Sequence, residues 1–307
     1  MLIHDEIIQL AQKNGFDACG LAKAKVDANT QLVYKKWLSA GFHASMDWME
    51  TNVHLRFTPQ LLVENASTVV VVLYSYHTKL DVFEKSPVRI AQYAWRRDYH
   101  KTLKKKLKFF YNALQQKYPE LQGRYFVDSA PVAERYFAEQ AGLGWIGKSG
   151  MLINPVLGTN CFIGTIIINE QADKYDNPVE NRCGTCQRCI EACPTNAIIG
   201  NSLIDSNKCI SYQTIEMKIN SEKPIHNSFS GFIYGCDLCQ QVCPWNSKAV
   251  AFDERVAESA KKWGDLTAEQ WQSLTEPEYA KMFEGTPVKR ASFEKLKSNI
   301  DKVLAQR

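Results

Sequence analysis

Apolar positions recur at helical spacing over residues 2–13, where Leu2, Ile3, Ile7, Leu10 and Ala11 share a face and Gly15 follows as a stop. FDACGLA at 16–22 reads as a short strand. TVVVVLYSY at 68–76 does not alternate, and such a continuous β-branched run predicts a strand buried on both faces. A helix is predicted over 98–116 and a strand over 123–129 (GRYFVDS). Pro131 then opens a helix running to about Ala141, with Gly142 and Gly144 past its end, and CFIGTIIIN at 161–169 is a further buried strand. Strands separated by helices predict an α/β core over roughly residues 1–170.

After 170 the pattern changes. QADKYDNPVENR is polar and loop-like, cysteines dominate to 243, and 250–307 is polar and helical with turns near Gly264 and Gly285-Thr286-Pro287. The expected organisation is a catalytic domain over 1–170, a second domain over 171–250 and a helical C-terminal tail over 251–307.

Composition is that of a globular protein, 45% hydrophobic and 23% charged, and a net charge of +4 does not by itself mark a nucleic-acid binder. The longest apolar runs, VVVVLY at 69–74 and TIII at 165–168, fall far short of the ~18 residues that span a bilayer. The acidic N-terminus lacks the features of a signal peptide, so no membrane association and a cytoplasmic location are expected. In a reducing compartment, ten cysteines point to metal or redox chemistry rather than disulfides.

The cysteines are the most informative feature. CGTCQRCIEACP places Cys183, Cys186, Cys189 and Cys193 before Pro194, the C-x2-C-x2-C-x3-C-P run of bacterial ferredoxins. CDLCQQVCP repeats most of it with Cys236, Cys239, Cys243 and Pro244; Ile233 stands where its first cysteine would be. Cys209, across a 26-residue insertion, is the substitute. Crossing of the fourth ligand then predicts one 4Fe–4S cluster on Cys183, Cys186, Cys189 and Cys243. A second would sit on Cys193, Cys209, Cys236 and Cys239. Zinc also uses C-x2-C pairs but does not require the 2-2-3 rhythm ending in proline. Cys19 and Cys161 lie in apolar strands and read as small buried hydrophobes. Two clusters form an electron wire, which implies an external donor and a sink in the first 170 residues.

RRDYHKTLKKKLK at 96–108 holds seven Lys or Arg in thirteen residues, with Trp95, Tyr99 and His100 among them. Most such runs are solvated helix faces, but cations interleaved with aromatics also suit looped RNA. Lys289, Arg290, Lys295, Lys297, Lys302 and Arg307 add positive charge near the C-terminus. Asp128 ends a strand just before a helix; on residue preference alone it, or Ser129, reads first as a helix cap and second as catalytic. Arg135 and Lys148 flank it. GLGWIGKS at 142–149 formally fits a phosphate-binding loop, but it follows a helix and leads toward a strand, the wrong context.

Several stretches together resemble the epoxyqueuosine reductase family. They are AWRRDYH at 94–100, the stretch from Val127 to Lys148, the first cysteine motif, CISYQTIE at 209–216 and GCDLCQQVCPWN at 235–246. The resemblance covers about residues 1–250. It implies a nitroreductase-like cobalamin-binding domain, of α+β or α/β class and related to reductive dehalogenases, followed by a ferredoxin-like domain with two 4Fe–4S clusters. It implies reduction of epoxyqueuosine to queuosine at the wobble position of tRNA anticodons. A low-potential donor would supply electrons to a protein expected to act as a monomer. Asp128 matches the family's proton donor, which reverses the cap reading. Arg56, Leu152, Ile163, Ser211, Asp237 and Leu238, with Asp128, fall where cobalamin contacts are expected. Two departures stand out: the chain ends at Arg307, before the C-terminal helical repeats of longer members, and Ala91 stands where some relatives have a cysteine.

The chemistry implied is attack of cob(I)alamin on an epoxide carbon while Asp128, its pKa raised by burial against the corrin, protonates the departing oxygen. No D-x-H-x-x-G motif is present, so base-off cobalamin without a histidine ligand is expected. A reductive dehalogenase and a non-enzymatic electron carrier are the alternatives.

Overall fold

The structure, a computed structural model, describes residues 1–221 and 228–306; Arg307 lies outside it. The N-terminal half contains α1 (His4–Lys13), β1 (Ala18–Lys23), α2 (Ala28–Ser39), β2 (Thr68–Ser75), α3 (Tyr99–Lys117), β3 (Gly123–Phe126), α4 (Glu134–Gln140) and β4 (Cys161–Ile168). The strands form one sheet in the order β1-β2-β4-β3, and every neighbouring pair is antiparallel. The core is therefore α+β, and the α/β reading is corrected. Helices do lie between the strands, but β2 and β3, which α3 joins in parallel sense, are separated by β4 running antiparallel to both, so no two neighbouring strands are parallel.

Both faces of this sheet are covered, which explains the unbroken apolar runs. With a period of two, Val70 and Val72 of β2 and Ile166 and Ile168 of β4 face α1 and α3, against Leu103, Leu107 and Phe110. Val69, Val71, Leu73 and Ile167 face the other way, against Phe137 and Ala138 of α4. At Gly20 of β1 an added Cβ would stand 2.1 Å from Ala141 O, so only glycine lets the end of α4 approach the sheet this closely.

The cysteine-rich half contains α5 (Arg188–Glu191), α6 (Ile210–Ile215), α7 (Leu238–Gln241) and α8 (Pro244–Ser247). α5 and α7, one from each cysteine motif, pack against each other. The strand Phe232–Tyr234 pairs in parallel with Arg89–Ile90. The C-terminal segment is folded into the body of the protein. Ala260, Trp263, Trp271, Phe283, Val288, Leu296 and Ile300 share one core with Phe83, Val88, Trp95, Phe232 and Tyr234. In α9 (Phe293–Leu304), Asn299 Nδ2 donates to both Thr214 O and Ile233 O at 2.9 Å, tying that helix to the insertion between Cys209 and Cys236.

Candidate active site and cluster-binding module

Asp128 follows β3 with φ of 56°, a left-handed conformation that costs a non-glycine residue about 1–3 kcal/mol and concentrates at functional sites. Ser129 N–H donates back to Val127 O at 2.6 Å, closing a tight turn around it. The helix beyond starts at Glu134 with Ala133 as its N-cap residue, three residues later than Pro131 suggests. Asp128 therefore caps nothing. Its N–H donates instead to Glu134 Oε1 at 2.9 Å.

Three side chains hold the carboxylate in a network. The Tyr99 hydroxyl donates to Oδ2, and His100 Nε2 lies 3.2 Å from the same atom. His100 Nδ1 is 2.9 Å from Asp98 Oδ1, so the imidazole bridges two carboxylates. Tyr99 is itself fixed by stacking, 4.3 Å from Phe162 and 4.1 Å from His100 between ring centroids. Burial would raise the Asp128 pKa, but hydrogen bonds from His100 and Tyr99 and the charges of His100 and Arg290 hold it below the usual carboxylate range. Acceptance by Asp128 and Asp98 raises His100 against the opposing effect of burial. Glu134 behaves oppositely: burial, aided by the Asp128 charge, pushes it up to about 8. The upward shift expected for Asp128 concerns burial against a corrin; in the chain alone the donors outweigh burial.

The Asp128 side chain is 58% exposed and opens into surrounding space. Beside it runs a groove of about 730 Å³, lined by Lys101, Lys104, Lys105 and Lys108 of α3, by Arg124, and by His100, Phe126 and Ala130. The basic run thus buries Leu103, Leu107, Phe110 and Leu114, and its lysines line a groove that takes in Val127 and Ser129 on either side of Asp128. Arg290 is held by Glu216 through bonds of 2.6 and 3.0 Å.

The expected cofactor contacts fall into two groups. Arg56 donates to Val132 O at 3.5 Å, on the Asp128 loop, and its buried Nε has no partner among the described residues. Leu152 and Ile163 belong to the same apolar cluster as Val132 and Phe57. Ser211 sits in α6 after Cys209, and Leu238 packs against the C-terminal core. Asp237 is buried and accepts from Gln92 N–H at 2.5 Å and Gln240 Nε2 at 3.2 Å. Ala91 is fully buried, its N–H donating to Tyr234 O at 2.8 Å. Lys148 Nζ donates to Gly184 O at 2.8 Å and Cys186 O at 2.9 Å, so it braces the first cysteine loop rather than a phosphate. Burial pushes the Cys19 thiol up and that of Cys161 up to about 12, as for inert core thiols.

The other eight thiols act on one another mostly within the two expected sets, with Cys189 of the first also acting on Cys239 of the second. Burial raises Cys189 and Cys243, and their neighbours' charges add to this: Cys183 and Cys243 act on Cys189, and Cys183 and Cys186 on Cys243. In the second set burial raises Cys209, and Cys236 to about 12; Cys193 acts on both, and Cys209 on Cys236. Burial and the charges of Cys236 and Cys209 raise Cys239 well above the usual range. Burial would raise Cys193 too, but hydrogen bonds from Thr195, Ala197 and Ile198 hold it below the usual thiol range; Ala197 N–H lies 3.3 Å from its sulfur. Thiols that repel one another's ionisation suit a cationic cluster that takes a thiolate on each of four irons. Among the described residues no three His, Cys, Asp or Glu side chains converge closely enough for a single metal ion, which is what zinc would need.

The sequence presents Tyr99 and His100 as aromatics amid charge and as part of the AWRRDYH stretch, without a role at Asp128, and gives no sign of Glu134. The D-Y-H triplet carried the only local signal, since a pair flanking a helix start can aim together at one atom.

Residues 182–246 match a family model described as a 4Fe–4S double cluster binding domain, and residues 56–129 match one described as epoxyqueuosine reductase QueG. An epoxyqueuosine reductase of Cyclobacterium marinum is 39% identical over 97% of this chain and 96% of its own length. One from Synechocystis is 37% identical over 91% of this chain and 98% of its own. The solved epoxyqueuosine reductase from Streptococcus thermophilus superimposes with a TM-score of 0.84 at 25% identity, covering 98% of this chain and 80% of that one. A further solved epoxyqueuosine reductase, bound to an epoxyqueuosine-modified tRNA stem loop, gives 0.88 at 24% identity, covering 98% of this chain and 80% of that one. A catabolic reductive dehalogenase shares the fold at 0.50 and 18% identity, covering 84% of this chain and 34% of that one. With its cysteine module and near full-length relatives, the chain belongs to the epoxyqueuosine reductase family of oxidoreductases.

Proposed function

We propose that the chain reduces epoxyqueuosine to queuosine at the wobble position of tRNA anticodons, with Asp128 as proton donor. The observation that carries this reading is the strained Asp128 turn, whose exposed carboxylate is gripped by Tyr99 and His100 and whose neighbours Val127, Ser129 and His100 line a lysine-rich groove. The net reaction consumes two electrons and two protons and releases the epoxide oxygen as water.

The N-terminal α+β half is, in this reading, a nitroreductase-like cobalamin-binding domain. Cobalamin, when bound, supplies nucleophilic and reducing chemistry at cobalt, and the two clusters supply its electrons singly. Residues around Asp128 suit such a group. The buried Nε–H of Arg56, unpartnered among the described residues, is a donor for an amide carbonyl of the corrin periphery, and Leu152 and Ile163 offer apolar surface. Ser211, Asp237 and Leu238 would approach from the cluster side. His100 is committed on both ring nitrogens, so no cobalt ligand is expected from it.

The chain's own residues manage the proton. With Asp128 lowered and His100 raised, the resting proton of the pair sits on the imidazole. As negative charge develops on the departing oxygen, the proton moves from His100 Nε2 to Asp128 Oδ2 and on to the substrate. Asp98 steadies the imidazolium. Lys101, Lys104, Lys105 and Lys108 would hold phosphates of the anticodon loop beside the opening.

Asp128→Asn tests this reading. The variant should keep the iron and cobalamin content of the parent and lose about 100-fold or more in turnover of an epoxyqueuosine stem loop. Full turnover by the variant would remove Asp128 from the proton path.

A further inference from the structure

We infer that the exposed face around Cys183, Cys186 and Cys189 is the docking surface for an acidic, low-potential one-electron carrier protein. This rests on the two-cluster reading above and assigns the face through which electrons enter.

The two cysteine sets differ sharply in cover. In the second, the neighbours Ile210, Tyr212, Gly235, Asp237 and Gln240 are all buried. In the first, Arg182, Gly184, Thr185, Gln187 and Arg188 are all exposed. In the second set Lys208 beside Cys209 and Pro194 and Asn196 beside Cys193 are also exposed, but Cys236 and Cys239 lie among buried neighbours. Electron transfer weakens steeply with distance, so a carrier outside the protein reaches the first set at shorter range. On the inner side, Asp237 beside Cys236 accepts from Gln92 N–H, and the adjacent Tyr93 ring lies 6.1 Å from that of Tyr99, the partner of Asp128.

Charge selects the partner. Arg182, Arg188 and Lys248 are exposed around this set, against Glu180 and Glu191. A shallow depression of about 540 Å³ between α5 and α8 has Arg188 and Glu191 on one wall and Cys243, Pro244 and Ser247 on the other. Beside Lys248, Val250 and Val156 are 47% and 58% exposed, and Val250 N–H donates to Val156 O at 3.1 Å. An apolar spot next to cations suits a brief, electrostatically steered encounter. Each encounter oxidises the carrier by one electron and reduces the near cluster by one. Two encounters, with two protons from solvent, balance the removal of one epoxide oxygen as water.

The test uses the reconstituted full chain and an acidic, low-potential plant-type [2Fe–2S] ferredoxin as probe. Anaerobic stopped-flow bleaching of the cluster absorbance reads the second-order reduction rate. In Arg182→Glu/Arg188→Glu/Lys248→Glu that rate should fall about tenfold or more, and its salt dependence should flatten. Reduction by dithionite and iron per chain should be unchanged. Should the triple variant lose iron, Lys248→Glu alone, remote from the cysteine loop, should still slow the ferredoxin reaction. Lys101→Glu/Lys104→Glu, on the other groove, should leave it unaltered. Parental ferredoxin rates in the triple or in the iron-replete single variant would overturn the proposal, as would slowing only by the α3 variants. A parent chain that takes up no clusters would instead overturn the two-cluster reading and, with it, this one.

Discussion

His100 is the residue on which the proton chemistry turns. As the imidazolium it donates to both Asp98 and Asp128, and both carboxylates raise its pKa above the ordinary 6.5. The imidazolium that supplies the proton is therefore present at low pH and is lost as pH rises through the raised value. Turnover should hold level below that value and decline above it. His100→Gln should lower turnover by about 10- to 100-fold and abolish the alkaline decline, as a pH–rate profile in a fixed buffer series would show. A variant that kept both the rate and the decline would exclude His100. At this scale the sequence was partly legible. Seven of the eight cysteines announce themselves by spacing; Cys209, across the insertion, is assigned by default. Asp128 does not announce itself, because an aspartate between strand and helix is an ordinary cap; only the left-handed turn and the late start of α4 separate the two roles.

Elements with many apolar positions were legible for a simple reason. β2 and β4 are covered on both faces, so both carry unbroken apolar runs, Val69–Leu73 and Ile166–Ile168, and α3 shows one apolar stripe with lysines opposite. The antiparallel order of the sheet was not legible, since strand direction depends on where each connection returns. Nor was the pairing of Phe232–Tyr234 with Arg89–Ile90, short strands some 140 residues apart whose partners are set by the surrounding core. The insertion after Cys209 and helix α9 depend on each other through Asn299, which is 2% exposed and serves two carbonyls. Asn299→Ala leaves both acceptors buried and unpaired, at a cost of about 1–3 kcal/mol. Thermal unfolding should show a lowered Tm with iron content preserved under native conditions. An unchanged Tm would mean that these bonds do not tie α9 in place.

Across the whole molecule, one side of the α+β half presents Asp128 and the lysine groove, and the cysteine module presents the buried set toward the same interior. The C-terminal segment closes the arrangement: Arg290, held by Glu216, contributes charge to Asp128. The insertion that separates Cys209 from Cys236 thereby serves two ends, supplying a thiol to the second set and a strand to the C-terminal core. Cys209→Ser should remove roughly half of the bound iron, one cluster of two, while the first set keeps its own. Iron analysis of the purified variant decides this, and full retention of iron would assign the fourth thiol of that set elsewhere.

The most direct test of the account is mass spectrometry of an epoxyqueuosine-containing anticodon stem loop after anaerobic incubation with the chain, reconstituted with iron, sulfide and cobalamin and supplied with a strong reductant. The account predicts that the modified nucleoside loses the mass of one oxygen atom, and that omitting cobalamin abolishes the change. An unaltered nucleoside in the presence of fully loaded protein, or conversion that proceeds equally without cobalamin, would contradict it.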